Sequence, residues 1–226
     1  MLRTILSRLE APSSCYLFGI HYARLMEAKG SQEWNYYIPK IKRSELRKPF
    51  VKHYFDSLEN KYNYTEYMDK ISNDKDFRTF EVIYGYNQIE EEKELIRQLL
   101  ELYFITETYI GFMVEYLIAE ELKNKGIKVY QNNVLDIQYK TDLLFKGKHF
   151  QIKNYSFLET FLIESKLEPY IKANKKLNFL FYKISVENIS LVKIGGKAFL
   201  KAQEINDFTQ LMNEEEMSID EFIDRV

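Results

Sequence analysis

The stretch FQIKNYSF, residues 150–157, has the composition of a β-strand but carries Gln151 and Lys153 two positions apart. Side chains two apart in a strand point to the same face, so the amide and the ammonium group share one face. Phe150 and Ile152 fall on the opposite, apolar face. A strand built in this way predicts a polar patch on one side of a sheet and a packed core on the other.

The residues before this strand predict a hairpin. VLDIQYKTDLLF, residues 134–145, is expected to form a longer strand, with Gly147-Lys148 as a two-residue loop. In that register Asp142 faces Lys153, and directly opposed side chains have Cβ atoms roughly 5 Å apart. The sequence therefore predicts that Asp142, Gln151 and Lys153 converge.

A carboxylate on the preceding helix points to the same patch. Glu115 lies within the apolar segment GFMVEYLIA, residues 111–119. Because an isolated buried carboxylate is costly, Glu115 must pair, become protonated or bind a metal. Lys153 and a cation shared with Asp142 are the expected partners. The simpler alternatives are a solvent-facing Glu115 and a routine cross-strand ion pair.

The order of elements predicts an α/β fold. Hydrophobic periodicity and turn residues indicate helix, three strands, helix and strand, which is typical of a sheet with helices packed on it. A further strand is expected at 189–194. The helices are predicted at 89–125, long or broken, and at about 158–173, and the other strands at 127–131 and 178–184 in addition to the hairpin.

Length and composition indicate either one sizeable core or a core with a smaller companion domain. The chain has 226 residues, 46% hydrophobic and 29% charged, which excludes a disordered protein. Three regions are expected: a mostly helical region at 1–90 that binds DNA or dimerises, a core at 91–200, and an acidic helix or tail at 201–226.

Cysteine content and hydropathy predict a cytoplasmic protein that does not enter a membrane. The single cysteine, Cys15, cannot form an internal disulfide, and residues 1–12 lack the apolar run of a secretory signal. The most apolar stretch, residues 99–122, is interrupted by several glutamates and is expected to be a buried helix.

Charge is unevenly distributed although the net charge is only −2. The acidic end of the chain is expected to be a solvated helix, with an autoinhibitory mimic of nucleic acid as the alternative. A basic segment follows Trp34, Tyr36 and Tyr37, and it either binds a phosphate backbone or forms a solvated helix face. Its members are Lys40, Lys42, Arg43, Arg47, Lys48 and Lys52.

The combination of helix Glu115, Thr141-Asp142 and Gln151-Ile152-Lys153 resembles the PD-(D/E)XK nuclease superfamily, which has a restriction-endonuclease-like fold. The likeness covers roughly residues 95–185. It is greatest to the Gln-x-Lys branch that includes Mrr-like restriction endonucleases, with GFMVEYLIAEELKNKG as the matching helix. Thr141 stands where the family name has proline, and the glycine-rich approach of many Mrr-like members is absent.

The resemblance implies metal-assisted hydrolysis of phosphodiester bonds. Asp142 would be the central ligand of Mg²⁺ or Mn²⁺, with Glu115, the Gln151 side-chain oxygen and the Ile152 carbonyl completing an oxygen shell. Lys153 would orient water or stabilise charge on the phosphoryl oxygens. Glu115, Asp142, Gln151 and Lys153 are the implied catalytic residues.

The implied protein is a cytoplasmic Mg²⁺-dependent endonuclease that acts on DNA in restriction, antiviral defence or mobile-element processing. Two active sites would be needed to cut both strands, so a homodimer is expected. A structure-specific or RNA-directed nuclease, and a non-catalytic nucleic-acid-binding or assembly subunit, are the alternatives. Tyr155 and the lysines that follow the catalytic strand, among them Lys166 and Lys172, are further candidates for nucleic-acid contact.

Overall fold

The computed structural model describes residues 12–43, 68, 69, 73, 79, 88–103, 108–155, 168–184, 189–205 and 213–226. The chain divides between Ile110 and Gly111 into two compact units. Among the described residues, no helix is both long and apolar enough to cross a membrane.

The described part of the N-terminal unit is helical. It contains α1 (Pro12–Ala28), α2 (Gln32–Arg43) and α3 (Glu90–Glu101). The Ser31 hydroxyl accepts a hydrogen bond of 3.0 Å from the backbone N–H of Trp34 and so caps α2. Helix α2 packs against α3, and the Trp34 ring meets Tyr103 edge to face at 6.4 Å.

The C-terminal unit is a mixed sheet with helices, which confirms the α/β prediction. The elements are α4 (Thr108–Asn124), β1 (Val129–Tyr130), α5 (Asn133–Tyr139), β2 (Leu143–Phe145), β3 (Lys148–Asn154), α6 (Glu168–Ala173), β4 (Leu177–Ile184), β5 (Ile189–Ile194), β6 (Leu200–Lys201), β7 (Glu214–Met217) and α7 (Ile219–Arg225). Among the described residues the sheet has seven strands in the order β1-β2-β3-β4-β5-β7, with β6 paired to β4. Strands β3 and β4 are parallel, and the other pairs are antiparallel.

The hairpin register differs from the prediction by two residues. Lys146 and Gly147 form the loop, both with positive φ (46° and 72°), as a turn of the I′ kind requires. Glycine thereby takes the second loop position, and Phe145 pairs with Lys148. Asp142 consequently lies across from Gln151, and the predicted opposition of Asp142 and Lys153 is wrong. A shift of two residues keeps every side chain on its predicted face.

The predicted strand at 134–145 is also wrong in its first half. Asn132 accepts a hydrogen bond of 2.9 Å from the Leu135 N–H and caps α5, where the Asn132-Asn133 pair had suggested a turn. The helix ends at Lys140, which is left-handed with φ 51°. Strand β2 is therefore short, and Asp142 lies immediately before it.

Aromatic side chains fill the face of the hairpin opposite Gln151. Phe145 and Phe150 stack with ring centroids 4.6 Å apart, and Phe222 of α7 meets both edge-on. Phe145, Phe150 and Phe222 are all fully buried. Truncating any of these rings would leave a cavity, so this face holds the register of β2 and β3.

The acidic end of the chain is more than the predicted solvated helix or tail. Residues 214–217 form β7, which pairs with β5 at the sheet edge. The carboxylate of Glu215 pairs with Lys193 at 2.7 Å, and Glu214 pairs with Lys183. These two glutamates therefore form ion pairs with lysines of the same sheet.

Candidate functional site

Asp142, immediately before β2, is held by hydrogen bonds from β3. It is 7% exposed, and its Oδ2 atom accepts hydrogen bonds from Gln151 Nε2 at 2.5 Å and from the Ile152 N–H at 2.6 Å. Its own N–H donates to the Phe150 carbonyl at 2.8 Å. Gln151 is 2% exposed. The two donors fix Oδ2, while Oδ1 has no hydrogen-bond partner among the described residues.

Residues on three elements hold this end of the hairpin in place. The Thr141 hydroxyl donates to the Tyr139 carbonyl at 3.0 Å, accepts from Asn174 Nδ2 at 3.3 Å and lies 3.1 Å from His149 Nδ1. Asn174 directly follows α6, so this contact joins α6 to the segment between α5 and β2. Thr141 itself is 1% exposed. Thr141 thus links β3 and the end of α6 to the segment that carries Asp142.

Lys153 lies on the same face as Gln151 and is half-buried. Its Nζ is 5.8 Å from the Tyr170 ring centroid. Burial lowers the pKa of Lys153, but the charges of Tyr170, Asp142 and Glu115 raise it above the ordinary value overall. Lys153 forms no ion pair within the described part of the chain. Its ammonium group is therefore surrounded by acidic groups without direct contact with any carboxylate among them.

Glu115 and Asp142 share this environment. Burial raises the pKa of Glu115 well above its ordinary value, the charge of Asp142 raises it further, and Lys153 lowers it in part. Burial raises the pKa of Asp142 to about 6, although Lys153 and the bonds from Ile152 and Gln151 lower it. Three of the predicted catalytic side chains, those of Glu115, Asp142 and Lys153, thus affect one another's charge, and Gln151 contacts Asp142 directly. Glu115 is half-buried, so the alternative of a fully solvent-facing Glu115 is not favoured.

Asp136 belongs to the same cluster and was missed from the sequence. It is half-buried on α5, and burial raises its pKa while Lys153 and Lys140 lower it. Its charge also acts on Glu115 and Asp142. The sequence predicts a strand at 134–145 and therefore does not place Asp136 in the site. The helix-capping residue Asn132 is the signal in the sequence that indicates a helix here.

The residues around Asp142 fit a hard divalent cation in their chemistry. Asp142 Oδ1 and Gln151 Oε1 are buried oxygens that have no hydrogen-bond donor among the described residues, and Mg²⁺ and Mn²⁺ prefer such ligands. No three carboxylate, histidine or cysteine side chains within the described ranges are arranged to hold one ion. A cation here would use two carboxylates, those of Asp142 and Glu115, together with the neutral oxygens of Gln151 and Ile152.

The predicted nucleic-acid contacts are only partly described. Lys40 is exposed, and its Nζ lies 3.3 Å from the centroid of the Tyr36 ring. Lys172 is also exposed, but its Nζ forms an ion pair of 2.6 Å with Glu168. Tyr155 packs against the core cluster that includes Phe179, with Lys183 Nζ 4.2 Å from its ring centroid. The side chains of Lys42 and Arg43, and the residues Arg47, Lys48, Lys52 and Lys166, lie outside what the structure describes.

No protein-family model, curated protein or solved structure matches this chain. The residues around Asp142 are therefore the feature of this chain that bears on its function.

Proposed function

We propose that the chain is a metal-dependent endonuclease that hydrolyses phosphodiester bonds of DNA. The observation that carries this proposal is the buried contact between Asp142 and Gln151, with Lys153 and Glu115 beside it. Carboxylate and amide oxygens next to a lysine that lacks an ion-pair partner among the described residues form a site for a cation and a phosphate together. The restriction-endonuclease-like core is part of the same proposal.

Each side chain has a defined role in this reaction. Asp142 Oδ1, Gln151 Oε1, the Ile152 carbonyl and Glu115 would hold Mg²⁺ or Mn²⁺, and the donors to Asp142 Oδ2 orient the carboxylate. When bound, the cation polarises the phosphate and lowers the pKa of a coordinated water. Lys153 stabilises the charge that develops on the phosphoryl oxygens. Because these carboxyl pKa values are raised, cation binding would release protons.

The direct test is a cleavage assay with purified full-length protein. Supercoiled plasmid, single-stranded DNA and RNA are each incubated with Mg²⁺ or Mn²⁺, and in parallel with EDTA. We expect cation-dependent nicking or linearisation of the plasmid, and no product with Asp142→Ala. Cleavage of RNA alone would replace DNA with RNA as the substrate. Binding of nucleic acid without cleavage would support a non-catalytic binding subunit instead.

The expected homodimer is tested separately. Sedimentation of the protein on a DNA duplex should show two copies per complex, since two sites are needed to cut both strands. A single copy per duplex would limit the proposal to nicking or to cleavage of one strand at a time.

A further inference from the structure

The turn between α6 and β4 carries two exposed lysines, Lys175 and Lys176. The Leu177 N–H donates to the Asn174 carbonyl at 3.2 Å, and the Lys176 N–H donates to the Asn174 side-chain oxygen at 3.0 Å. The first bond closes a β-turn and the second an Asx turn. Together they fix the backbone from which both lysines extend, and residues 174–177 are called the lysine turn below.

Two buried asparagines attach the lysine turn to the hairpin that carries the candidate site. Asn174 donates from Nδ2 to the hydroxyl of Thr141, in the segment just before β2, at 3.3 Å. Asn178 donates from Nδ2 to the His149 carbonyl at 3.0 Å and to the Lys176 carbonyl at 3.3 Å. One amide nitrogen thus joins β3 to the turn. The lysine turn therefore has a fixed position relative to the site.

The lysine turn lies at one end of a row of side chains on β3. His149, Gln151 and Lys153 are two residues apart in turn, so they share the face of the candidate site. His149 pairs with Leu177 in the parallel register, so the turn adjoins the His149 end of this row. Residues two apart in a strand are separated by roughly 7 Å. Since DNA has one phosphate per about 3.4 Å of helix axis in each strand, a strand bound at Gln151 would reach the turn within a few nucleotides.

The charges of the lysine turn have no acidic partner within the described part of the chain. Neither Lys175 nor Lys176 forms an ion pair with a described residue. Other lysines of the same unit do pair with carboxylates, and these are Lys125, Lys172, Lys183, Lys193 and Lys197. The turn thus presents two positive charges on a fixed backbone, and an anionic partner is what such a surface fits.

We propose that the lysine turn is a second phosphate-binding site, at which Lys175 and Lys176 hold the nucleic-acid backbone within a few nucleotides of the scissile phosphate. The proposal rests on the proposed function for the identity of its partner. A nucleic-acid strand carries phosphates in series, and the positive groups are also in series, with Lys153 at one end of the row on β3 and the lysine turn at the other. Contacts of this kind position the strand without reading its sequence.

The competing explanation is that both lysines are only solvated. Exposed lysines on turns are common, and a solvated pair would leave nucleic-acid binding unchanged when it is removed. The salt dependence of binding separates the two explanations, because each phosphate that a lysine neutralises releases a condensed counterion.

The experiment measures binding of the purified protein to a fluorescently labelled DNA duplex by anisotropy, in EDTA and at several NaCl concentrations. The slope of log K against log [NaCl] should become less steep by about 0.9 in Lys176→Ala, and by about twice that in Lys175→Ala/Lys176→Ala. The alanine double variant should also bind about tenfold more weakly at about 0.1 M NaCl. Lys175→Arg/Lys176→Arg keeps both charges and should keep the wild-type slope. Thermal unfolding should show that these variants are folded, since exposed side chains change stability little.

Lys197→Ala is the matched control for Lys176→Ala. It removes the same charge from an exposed lysine of the same unit, but the Lys197 ammonium group already pairs with Glu204 at 3.0 Å. Its slope and affinity should equal those of the wild type. An alanine double variant that binds as the wild type does, an equal loss in Lys197→Ala and Lys176→Ala, or a wild type that binds no DNA would each overturn the proposal.

The cleavage assay separates this proposal from the nuclease assignment. If the variants change DNA binding as expected but the wild type cuts no nucleic acid, the phosphate-binding site stands and the nuclease assignment fails. If nucleic acid is cut but the alanine double variant binds DNA with the wild-type slope, the assignment stands and the phosphate-binding site fails.

Discussion

Two lysines on strands of the same sheet have opposite surroundings. Lys193 on β5 is 8% exposed and lies directly across from Glu215 on β7, with its Nζ 2.7 Å from that carboxylate and 3.7 Å from Glu221. Lys153 on β3 is less buried, has three carboxylates nearby, and forms an ion pair with none of the described residues.

Under the proposed function, this difference separates a lysine that joins elements of the fold from one that acts on the substrate. Lys193 forms ion pairs with Glu215 on β7 and Glu221 on α7, so it joins β5 to both elements. Its charge is balanced within the fold. The carboxylates around Lys153 have raised pKa values, because burial disfavours their charged forms, and none of them forms an ion pair with the ammonium group within the described part of the chain. Clusters of perturbed acids beside an amide and a lysine are typical of sites where chemistry takes place.

The largest expected effect is on cleavage. Lys153→Ala should reduce the rate of DNA cleavage by roughly 10³-fold, because it removes the charge that stabilises the phosphoryl oxygens in the transition state. Lys193→Ala is the matched control and should cut DNA at close to the wild-type rate per folded molecule. Both are measured by initial rates of plasmid nicking in Mg²⁺. Equal losses in the two variants would erase the distinction between the lysines.

The second expected effect is on how the free energy of unfolding depends on pH, through the Asp142 carboxyl near Lys153. The pKa of Asp142 is raised from 3.8 to about 6 in the folded state, so the folded state favours the protonated carboxyl. The resulting stability is complete below the unfolded pKa and is lost as pH rises through the folded one.

In EDTA, the free energy of unfolding should therefore fall by on the order of 3 kcal/mol between about pH 4 and pH 6 from this group. Urea unfolding across this pH range measures it, and Asp142→Asn should remove that part of the slope. Wild-type and Asp142→Asn proteins with identical pH slopes would show that this carboxyl is not perturbed.

The smallest expected effect is on the stability contributed by Lys193. Lys193→Ala should lower the free energy of unfolding by about 1–2 kcal/mol, mainly through the buried methylenes of the side chain. Lys193→Met keeps most of that volume and should recover more than half of the loss, since Glu215 and Glu221 are exposed enough to be hydrated without a partner. A Met variant as unstable as the Ala variant would mean that the ion pairs dominate.

The predictions from sequence succeeded where one local pattern was sufficient. Strands at 178–184 and 189–194 were predicted because apolar β-branched and aromatic runs favour buried strands, and both are present as β4 and β5. Sequence patterns failed where two local readings compete. Asn132 can begin a turn or cap a helix, and the structure forms the helix because that side chain caps α5.

Local sequence patterns also failed where a partner distant in the sequence determines the secondary structure. The run Glu214-Glu215-Glu216 has low strand propensity, but Lys183 and Lys193 offer ion pairs across the sheet and β5 offers backbone partners. A tertiary contact of this kind leaves little trace in the local sequence. The same is true of Asp136, whose neighbours in space come from α4, β3 and the segment before β2.

The sequence alone determined which side chains share a face of the β2–β3 hairpin, because strand alternation depends only on counting residues and survives a register shift of two. Only the tertiary structure decided which residues oppose one another, since the loop conformation at Lys146-Gly147 sets that pairing. It also decided that a third carboxylate lies beside Lys153. Electrostatic neighbours depend on distances through space, and those follow from how elements distant in the sequence pack together.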